Sequence, residues 1–264
     1  MTAPDPALPR KSDWLVRGFV RYCQRYVRKH FHAVRVSKQS VPVPADGRPL
    51  IFVLNHPAWW DVVLGAVLST RFPGYHHYAP IEAAMLKKYR FFARLGIFGV
   101  EPTARGAAVF LRTARAIFEQ PHGALWVTAQ GHFADVRERP VVLRPGVGAV
   151  AVRLTRGAVV PVALEYPFWD ERTPEALVRF GEPLPIPGEH DARGWTDRIA
   201  AALTETMDRL AAEAVRRDPA AFDTLVAGKV GVGGVYDLWR RARGVLTGRR
   251  VDVGHGRPAE AAPS

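Results

Sequence analysis

Cysteine, methionine and long apolar runs are all scarce in this sequence. Cys23 is the single cysteine in 264 residues, which excludes a disulfide framework and a zinc site built mainly from cysteines, and fits a reducing compartment. The best candidate for a membrane span, residues 50–69, is broken by Asn55, His56 and Asp61. No stretch therefore reaches the roughly 18 apolar residues that a crossing helix needs. The opening MTAPDPALPRKSDWL lacks an apolar core of the secretory type, so no signal peptide is predicted there. No internal repeat is visible. Hydrophobic residues nevertheless make up 48% of the chain, enough to exclude disorder throughout and to supply one large domain or two small ones.

What is abundant is positive charge, and it is unevenly placed. The net charge is +12. Residues 11–35 carry +6 and residues 228–250 carry +5, so the rest of the chain is close to neutral. A basic balance of this size points to nucleic acid, an anionic membrane or an anionic substrate. On a helical wheel Leu15, Val16, Phe19, Val20, Cys23, Tyr26, Val27 and Phe31 share an arc of about 160°, while Arg17, Arg21, Arg25, Arg28 and Lys29 lie opposite. This basic amphipathic helix suits two placements. It can lie in a membrane interface with its arginines toward anionic headgroups, or pack on the protein core with its arginines in solvent. No nucleic-acid-binding module accompanies it, so nucleic acid is the weaker partner.

Residues 1–12 are expected to be flexible, 13–47 to form the helix and a Pro-rich linker ending in SVPVPADGRP, and 48–220 to form a globular domain. Within that domain LIFVLN (50–55), IFGV (97–100), ALWVT (124–128), AVVPVALEY (158–166) and ALVRF (176–180) read as strands. Helical patterns fall at 61–70, 82–94, 104–119, 146–156 and 194–217, and PLPIPG (183–188) closes the alternating unit. Strands alternating with helices predict an α/β layer structure, a largely parallel sheet flanked by helices. Residues 221–250 are expected to be a basic helical segment, with Tyr236 and Trp239 suited to an interface, and 251–264 a disordered tail.

The string Asn55-His56-Pro57-Ala58-Trp59-Trp60-Asp61 follows a buried strand and precedes a helix. A separation of five keeps His56 and Asp61 off one helical face, but a turn containing Pro57 can bring the carboxylate back to the imidazole. A carboxylate accepting from one ring nitrogen fixes the tautomer and raises the basicity of the other, which makes a general base for a hydroxyl. The plainer alternative is a helix-capping Asp61 beside a loop histidine. His76-His77 and His30-x-His32 lack a third ligand at metal spacing, so no metal site is expected. KVGVGG (229–234) lacks the strand-turn-helix setting of a nucleotide loop.

The same string resembles the H-x4-D motif of the glycerolipid acyltransferase family typified by 1-acylglycerol-3-phosphate acyltransferases. Three further stretches resemble the family's later motifs in order, over residues 48–185. LWVTAQGHF (125–133) is similar to its strand and Glu-Gly-Thr-Arg turn, with Gly131 matching but Gln130, His132 and Phe133 in place of Glu, Thr and Arg. LRPGVGAVAVRLTRGAVVPVALEY (143–166) supplies Arg144, Gly146, Gly157 and Pro161 at matching positions, and FGEP (180–183) resembles the closing strand. The family's phosphate-binding arginine has its nearest counterpart in Arg105 of LGIFGVEPTARGA, which lies later than usual.

This resemblance implies an acyltransferase that needs no cofactor beyond its co-substrate, acyl-coenzyme A or acyl-carrier protein. His56, oriented by Asp61, would deprotonate a lipid hydroxyl such as that of lysophosphatidate. Arg105, Gln130, Gly131, Arg144 and Pro161 would bind substrate, with Gln130 or backbone N–H groups near Gly131 facing the oxyanion. The expected setting is the cytoplasmic face of the cell membrane, held peripherally or monotopically by the basic ends. The departures at Phe133 and Arg105 leave a non-phosphate acceptor open: a glycolipid, a carotenoid glycoside or an aminolipid. A non-catalytic basic protein that binds membrane or nucleic acid is the remaining alternative.

Overall fold

A computed structural model describes residues 8–44 and 46–228. The helical segment and tail expected beyond Gly228, with KVGVGG, Tyr236 and Trp239, lie outside the described residues, as do the first seven of the N-terminus. In chain order the elements are helix α1 (Asp13–His30), strands β1 (Ala33–Ser37) and β2 (Leu50–Leu54), α2 (Trp60–Leu68), β3 (His76–Glu82), α3 (Ala83–Lys88), β4 (Ile97–Val100), α4 (Ala104–Glu119), β5 (Gly123–Thr128), α5 (Gly146–Arg153), β6 (Gly157–Glu165), β7 (Glu175–Phe180), β8 (Leu184–Ile186), α6 (Ala192–Arg216) and β9 (Phe222–Ala227). The strands make one sheet in the order β4-β3-β5-β2-β6-β7-β1-β9, with β8 pairing β6. Strands β4 through β6 of that order run parallel, as do β1 and β7, while β7, β8 and β9 return antiparallel to their other neighbours. The sheet is thus largely parallel with helices on both faces.

Strand β2 shows why. All five residues of LIFVL are buried, the mark of a strand covered on both faces. Leu50, Phe52 and Leu54 point into a core shared with Cys23, Val27 and Phe31 and with Leu64, Val67 and Leu68 of α2. Ile51 and Val53 point the other way, toward Phe110 and Ile117 of α4, Val147 and Val150 of α5, and Trp195 and Leu203 of α6. The period of two alone distributes them. Helix α4 begins where the Thr103 hydroxyl accepts from Gly106 N at 3.0 Å, and α6 where the Asp191 carboxylate accepts from Gly194 N at 2.7 Å, each satisfying an N–H that the helix itself leaves open.

The structure differs from the expected boundaries in three places. Residues 33–37, inside the stretch expected to be helix and linker, form β1, which sits between β7 and β9. One sheet therefore runs from Ala33 to Ala227, and neither 13–47 nor 221–227 is separate from the α/β unit. Residues 222–227 of the expected basic helical segment are β9 instead, an edge strand with Asp223 and Thr224 exposed. Residues 82–94 are not one helix, since Glu82 ends β3, α3 stops at Lys88, and Arg90–Arg94 form a 3-10 turn. That turn carries Phe92 onto Phe19 of α1, ring centroids 6.0 Å apart.

Helix α1 docks on the protein. Cys23 and Val27 are buried, and Ser12 N donates to Arg94 O at 2.9 Å, which ties the start of the helix to the 3-10 turn. Its arginines, Arg17, Arg21, Arg25 and Arg28, remain exposed, as do Trp14 and Tyr22. Among the described residues no helix is long and apolar enough to cross a membrane.

Candidate active site

The carboxyl ends of the parallel strands share one edge, where crevices for ligands form in such sheets. Strand β2 is followed there by Asn55. The side-chain amide of this buried residue continues the ladder to β6, accepting from Leu164 N at 2.7 Å and donating to Leu164 O at 2.9 Å. The chain then turns through Pro57 into α2. Within that turn Asp61 N donates to Ala58 O at 3.2 Å, and Ala58 N donates back to Asp61 Oδ2 at 3.3 Å. The turn brings His56 Nδ1 to 2.6 Å from Asp61 Oδ2. A pair that a helix would hold apart is joined because the first three residues after His56 are not helical.

The carboxylate is fully enclosed, whereas the imidazole keeps 17% of its side-chain surface open. Asp61 Oδ1 accepts from the Tyr166 hydroxyl at 2.6 Å. Burial, and then the neighbouring Asp61 charge, push the Tyr166 hydroxyl well above the usual phenol range. The main chain of His56 is fixed on both sides by the segment after β5: His56 N donates to Gln130 Oε1 at 2.8 Å and Ala134 N donates to His56 O at 3.0 Å. Phe133 lays its ring 4.5 Å from the imidazole, centroid to centroid, and is itself 60% exposed. Nε2 of His56 has no intramolecular partner among the described residues. With Nδ1 occupied by the carboxylate, the open nitrogen is the one that can take a proton from a bound hydroxyl.

Gln130, Gly131 and Arg144 gather beside this pair. Gln130 is buried with its amide oxygen committed to His56. Gly131 adopts a left-handed φ of +72°, and a Cβ there would lie 2.1 Å from Arg144 Nε, so only glycine lets the arginine cross the turn. Arg144 Nη2 in turn donates to Gly131 O at 3.2 Å. Of the backbone N–H groups near Gly131 expected to face an oxyanion, that of Gly131 itself is occupied, since it donates to Thr128 O at 3.1 Å. Arg105 stands exposed in the first turn of α4, after β4. It is on the same edge but three strands from β2, about 14 Å along the sheet.

Pro161 is not brought to the site. It lies in the buried body of β6, level with Val53. Strand β6 leaves β8 at Val159 and meets β7 from Val162, so Pro161 falls in the gap between two partners. Its missing N–H breaks no antiparallel rung there, which explains a proline inside a central strand. Two of the other histidines have structural partners: His32 Nδ1 meets Glu175 at 2.5 Å, and His77 lies between Trp126 Nε1 and Phe72 O. Cys23 is buried in α1, and burial pushes its thiol up to about 12, which leaves little thiolate at neutral pH.

Two residues of this arrangement escaped the sequence. Tyr166 lies 105 residues from Asp61, and no local pattern marks it. Asn55 stood inside the motif string, but its bond to β6 follows only from sheet order.

The chain matches no family model and no curated protein. Among solved structures it is similar to the 1-acyl-sn-glycerophosphate (LPA) acyltransferase PlsC from Thermotoga maritima, at 14% sequence identity and a TM-score of 0.55, over 76% of this chain and 81% of that one. At that identity the likeness establishes the fold, a largely parallel α/β sheet flanked by helices.

Proposed function

We propose that this chain is a membrane-associated acyltransferase that moves a fatty acyl group from an acyl thioester, acyl-coenzyme A or acyl-carrier protein, to a lipid hydroxyl such as that of lysophosphatidate. The observation that carries the proposal is the 2.6 Å contact between His56 Nδ1 and the enclosed Asp61 carboxylate, at the carboxyl end of a central parallel strand, with Nε2 open. The fold of the lysophosphatidate acyltransferase from Thermotoga maritima adds support at the level of architecture. In the reaction the acceptor oxygen attacks the thioester carbonyl as its proton passes to His56 Nε2. The C–S bond then breaks, and the imidazolium returns the proton to the departing thiolate. No acyl-enzyme is needed, in keeping with the buried, high-pKa Cys23. The Gln130 amide nitrogen, whose oxygen is held by His56 N, is the proposed donor to the oxyanion in place of Gly131 N.

For the acceptor, Arg144 beside the Gly131 turn and Arg105 further along the edge suit a phosphate, since guanidinium groups form bidentate contacts with it. One observation favours a second acceptor class: the group laid on His56 is the Phe133 ring rather than a cation, and an apolar ring suits a non-phosphate lipid such as a glycolipid, carotenoid glycoside or aminolipid. Thiol release from long-chain acyl-coenzyme A and from acyl-carrier protein, run with a panel of lysophosphatidate and neutral lipid acceptors, separates the two. Turnover with lysophosphatidate that falls at least about tenfold in Arg144→Ala supports phosphate binding there. Turnover confined to neutral acceptors and indifferent to Arg144 supports the second class. Silence with every donor and acceptor contradicts the enzymatic proposal.

Docking at the cytoplasmic membrane face would let one site meet a soluble thioester and a lipid together. Its proposed surface is a run of aromatic rings leading from the site: Trp59 on Tyr26 at 6.2 Å, Tyr26 on Tyr22 at 5.6 Å, Tyr22 on Phe19 at 6.3 Å and Phe19 on Phe91 at 6.2 Å. Trp14, Tyr22, Trp59 and Phe91 are each more than half exposed, and the arginines of α1 flank them. Aromatic and arginine side chains together suit an anionic lipid interface.

A further inference from the structure

We infer that Tyr166 is a positioning residue of this site, so that His56, Asp61 and Tyr166 form a three-residue relay with Asp61 in the middle. The kinetic consequence rests on the acyltransferase proposal, while the geometry stands without it. Asp61 has two oxygens and no exposed side-chain surface. Oδ2 accepts from His56 Nδ1 and from Ala58 N, both in its own turn. Oδ1 accepts from Tyr166 and from nothing else among the described residues. A carboxylate turns easily about its last torsion, because that well is broad. With Oδ1 unheld inside an apolar wall, the group would lose the partner that a buried polar atom requires and its fixed orientation toward the imidazole.

Tyr166 is built for that duty from both directions. Its main chain leaves β6 one residue past Glu165, close behind the double bond between Asn55 and Leu164. The same amide that follows β2 and precedes His56 therefore sets where β6 delivers the tyrosine. Its ring sits among apolar neighbours, 5.7 Å from Phe31 between centroids. Phe31, at the end of α1, also meets Trp60 edge-on at 4.8 Å, so the first residue of α2 and the tyrosine share one anchor. The hydroxyl stays protonated across the working pH range, since enclosure and the adjacent carboxylate both oppose its ionisation. It acts as a donor throughout, and a donor that never titrates leaves one carboxylate oxygen for the imidazole. A tyrosine kept only for packing has no reason to aim its hydroxyl at this buried carboxylate at 2.6 Å.

The test is Tyr166→Phe, which keeps the ring and removes the donor. The first readout is the low-field proton resonance of the Nδ1–H of His56, identified by its loss in His56→Ala. It is expected to shift and exchange faster in Tyr166→Phe, and to stay in place in Tyr75→Phe, whose hydroxyl donates to the main chain at Arg48 and Pro44 instead. The second readout is a fall of about ten- to hundredfold in kcat with KM within about twofold. An unmoved resonance with unchanged kcat overturns the inference, and so does a loss carried by KM. Should Tyr166→Phe prove too unstable to assay, 3-fluorotyrosine at position 166 keeps the ring and strengthens the donor. The resonance must then move in the opposite sense, and no movement overturns the inference. Because the resonance requires no turnover, a silent wild-type enzyme would contradict the acyltransferase proposal and still leave the relay tested.

Discussion

His77 shows how strongly one buried ring can bind stability to pH. Trp126 Nε1 donates to His77 Nδ1 at 3.0 Å, and His77 Nε2 donates to Phe72 O at 3.1 Å, an arrangement that only the neutral ring satisfies. Enclosure pushes its pKa down from 6.5 to about 4. The unfolded chain therefore binds this proton first, and the stabilising contribution is full above pH 6.5 and is lost as pH falls from 6.5 toward 4. Thermal unfolding followed across that window should show Tm falling with acid, and His77→Leu should be less stable at pH 7 but less steep below it. Equal slopes would contradict this account. The same scale shows what a sequence reader could see of the site. His56 and Asp61 were legible because the turn that joins them is local and contains Pro57. Arg144 was legible only through the resemblance of residues 143–166 to a family motif. Tyr166 was not, because its contact depends on β6 lying beside β2, and nothing in residues 158–166 encodes that neighbour.

At the scale of elements, close approach between helices sets the tolerance for change. In α5, a Cβ on Gly148 would lie 2.1 Å from Ala192 O and 2.3 Å from the Thr196 hydroxyl, so α6 or α5 must shift. Gly148→Ala is expected to destabilise by about 1–3 kcal/mol, as overpacking does. Gly65→Ala in α2, where nothing lies within 4 Å, should be neutral or stabilising by up to about 1 kcal/mol. Urea midpoints of the two variants check this, and a loss of similar size in both would contradict it. The apolar strands β2, β5 and β6 were plain in the sequence because both faces are buried and the runs are continuous. Strand β1 was hidden by Arg35 in its middle. That guanidinium is buried but paired, its Nε 2.9 Å from Glu175 Oε2, and only the partner strand β7 supplies the carboxylate. Strand β3 was masked by its two histidines and Pro80, and β9 by the exposed polar residues of an edge.

For the whole molecule, the charge separation read from composition takes on a direction. Helix α1 serves two surfaces: Cys23 and Val27 of its apolar stripe face the core, while Trp14 and Tyr22, outside that stripe, face outward beside the arginines. Deleting residues 1–35 would take part of β1 out of the sheet and so would not isolate membrane binding. The better variant is Trp14→Ser with Tyr22→Ser and Phe91→Ser, all on exposed rings. It should keep its Tm within about 2 °C and lose at least about tenfold in affinity for anionic vesicles by cosedimentation. Unchanged cosedimentation would contradict the docking surface.

His56, held by Asp61, is the proposed base for acyl transfer. The measurement that tests it most directly is acceptor-dependent thiol release by the full chain beside His56→Ala, with folding of both checked by circular dichroism. A loss of at least about a hundredfold is expected in the variant, the size that removal of a general base brings, with an unchanged fold. A folded His56→Ala protein that transfers acyl groups as fast as the wild type would contradict it.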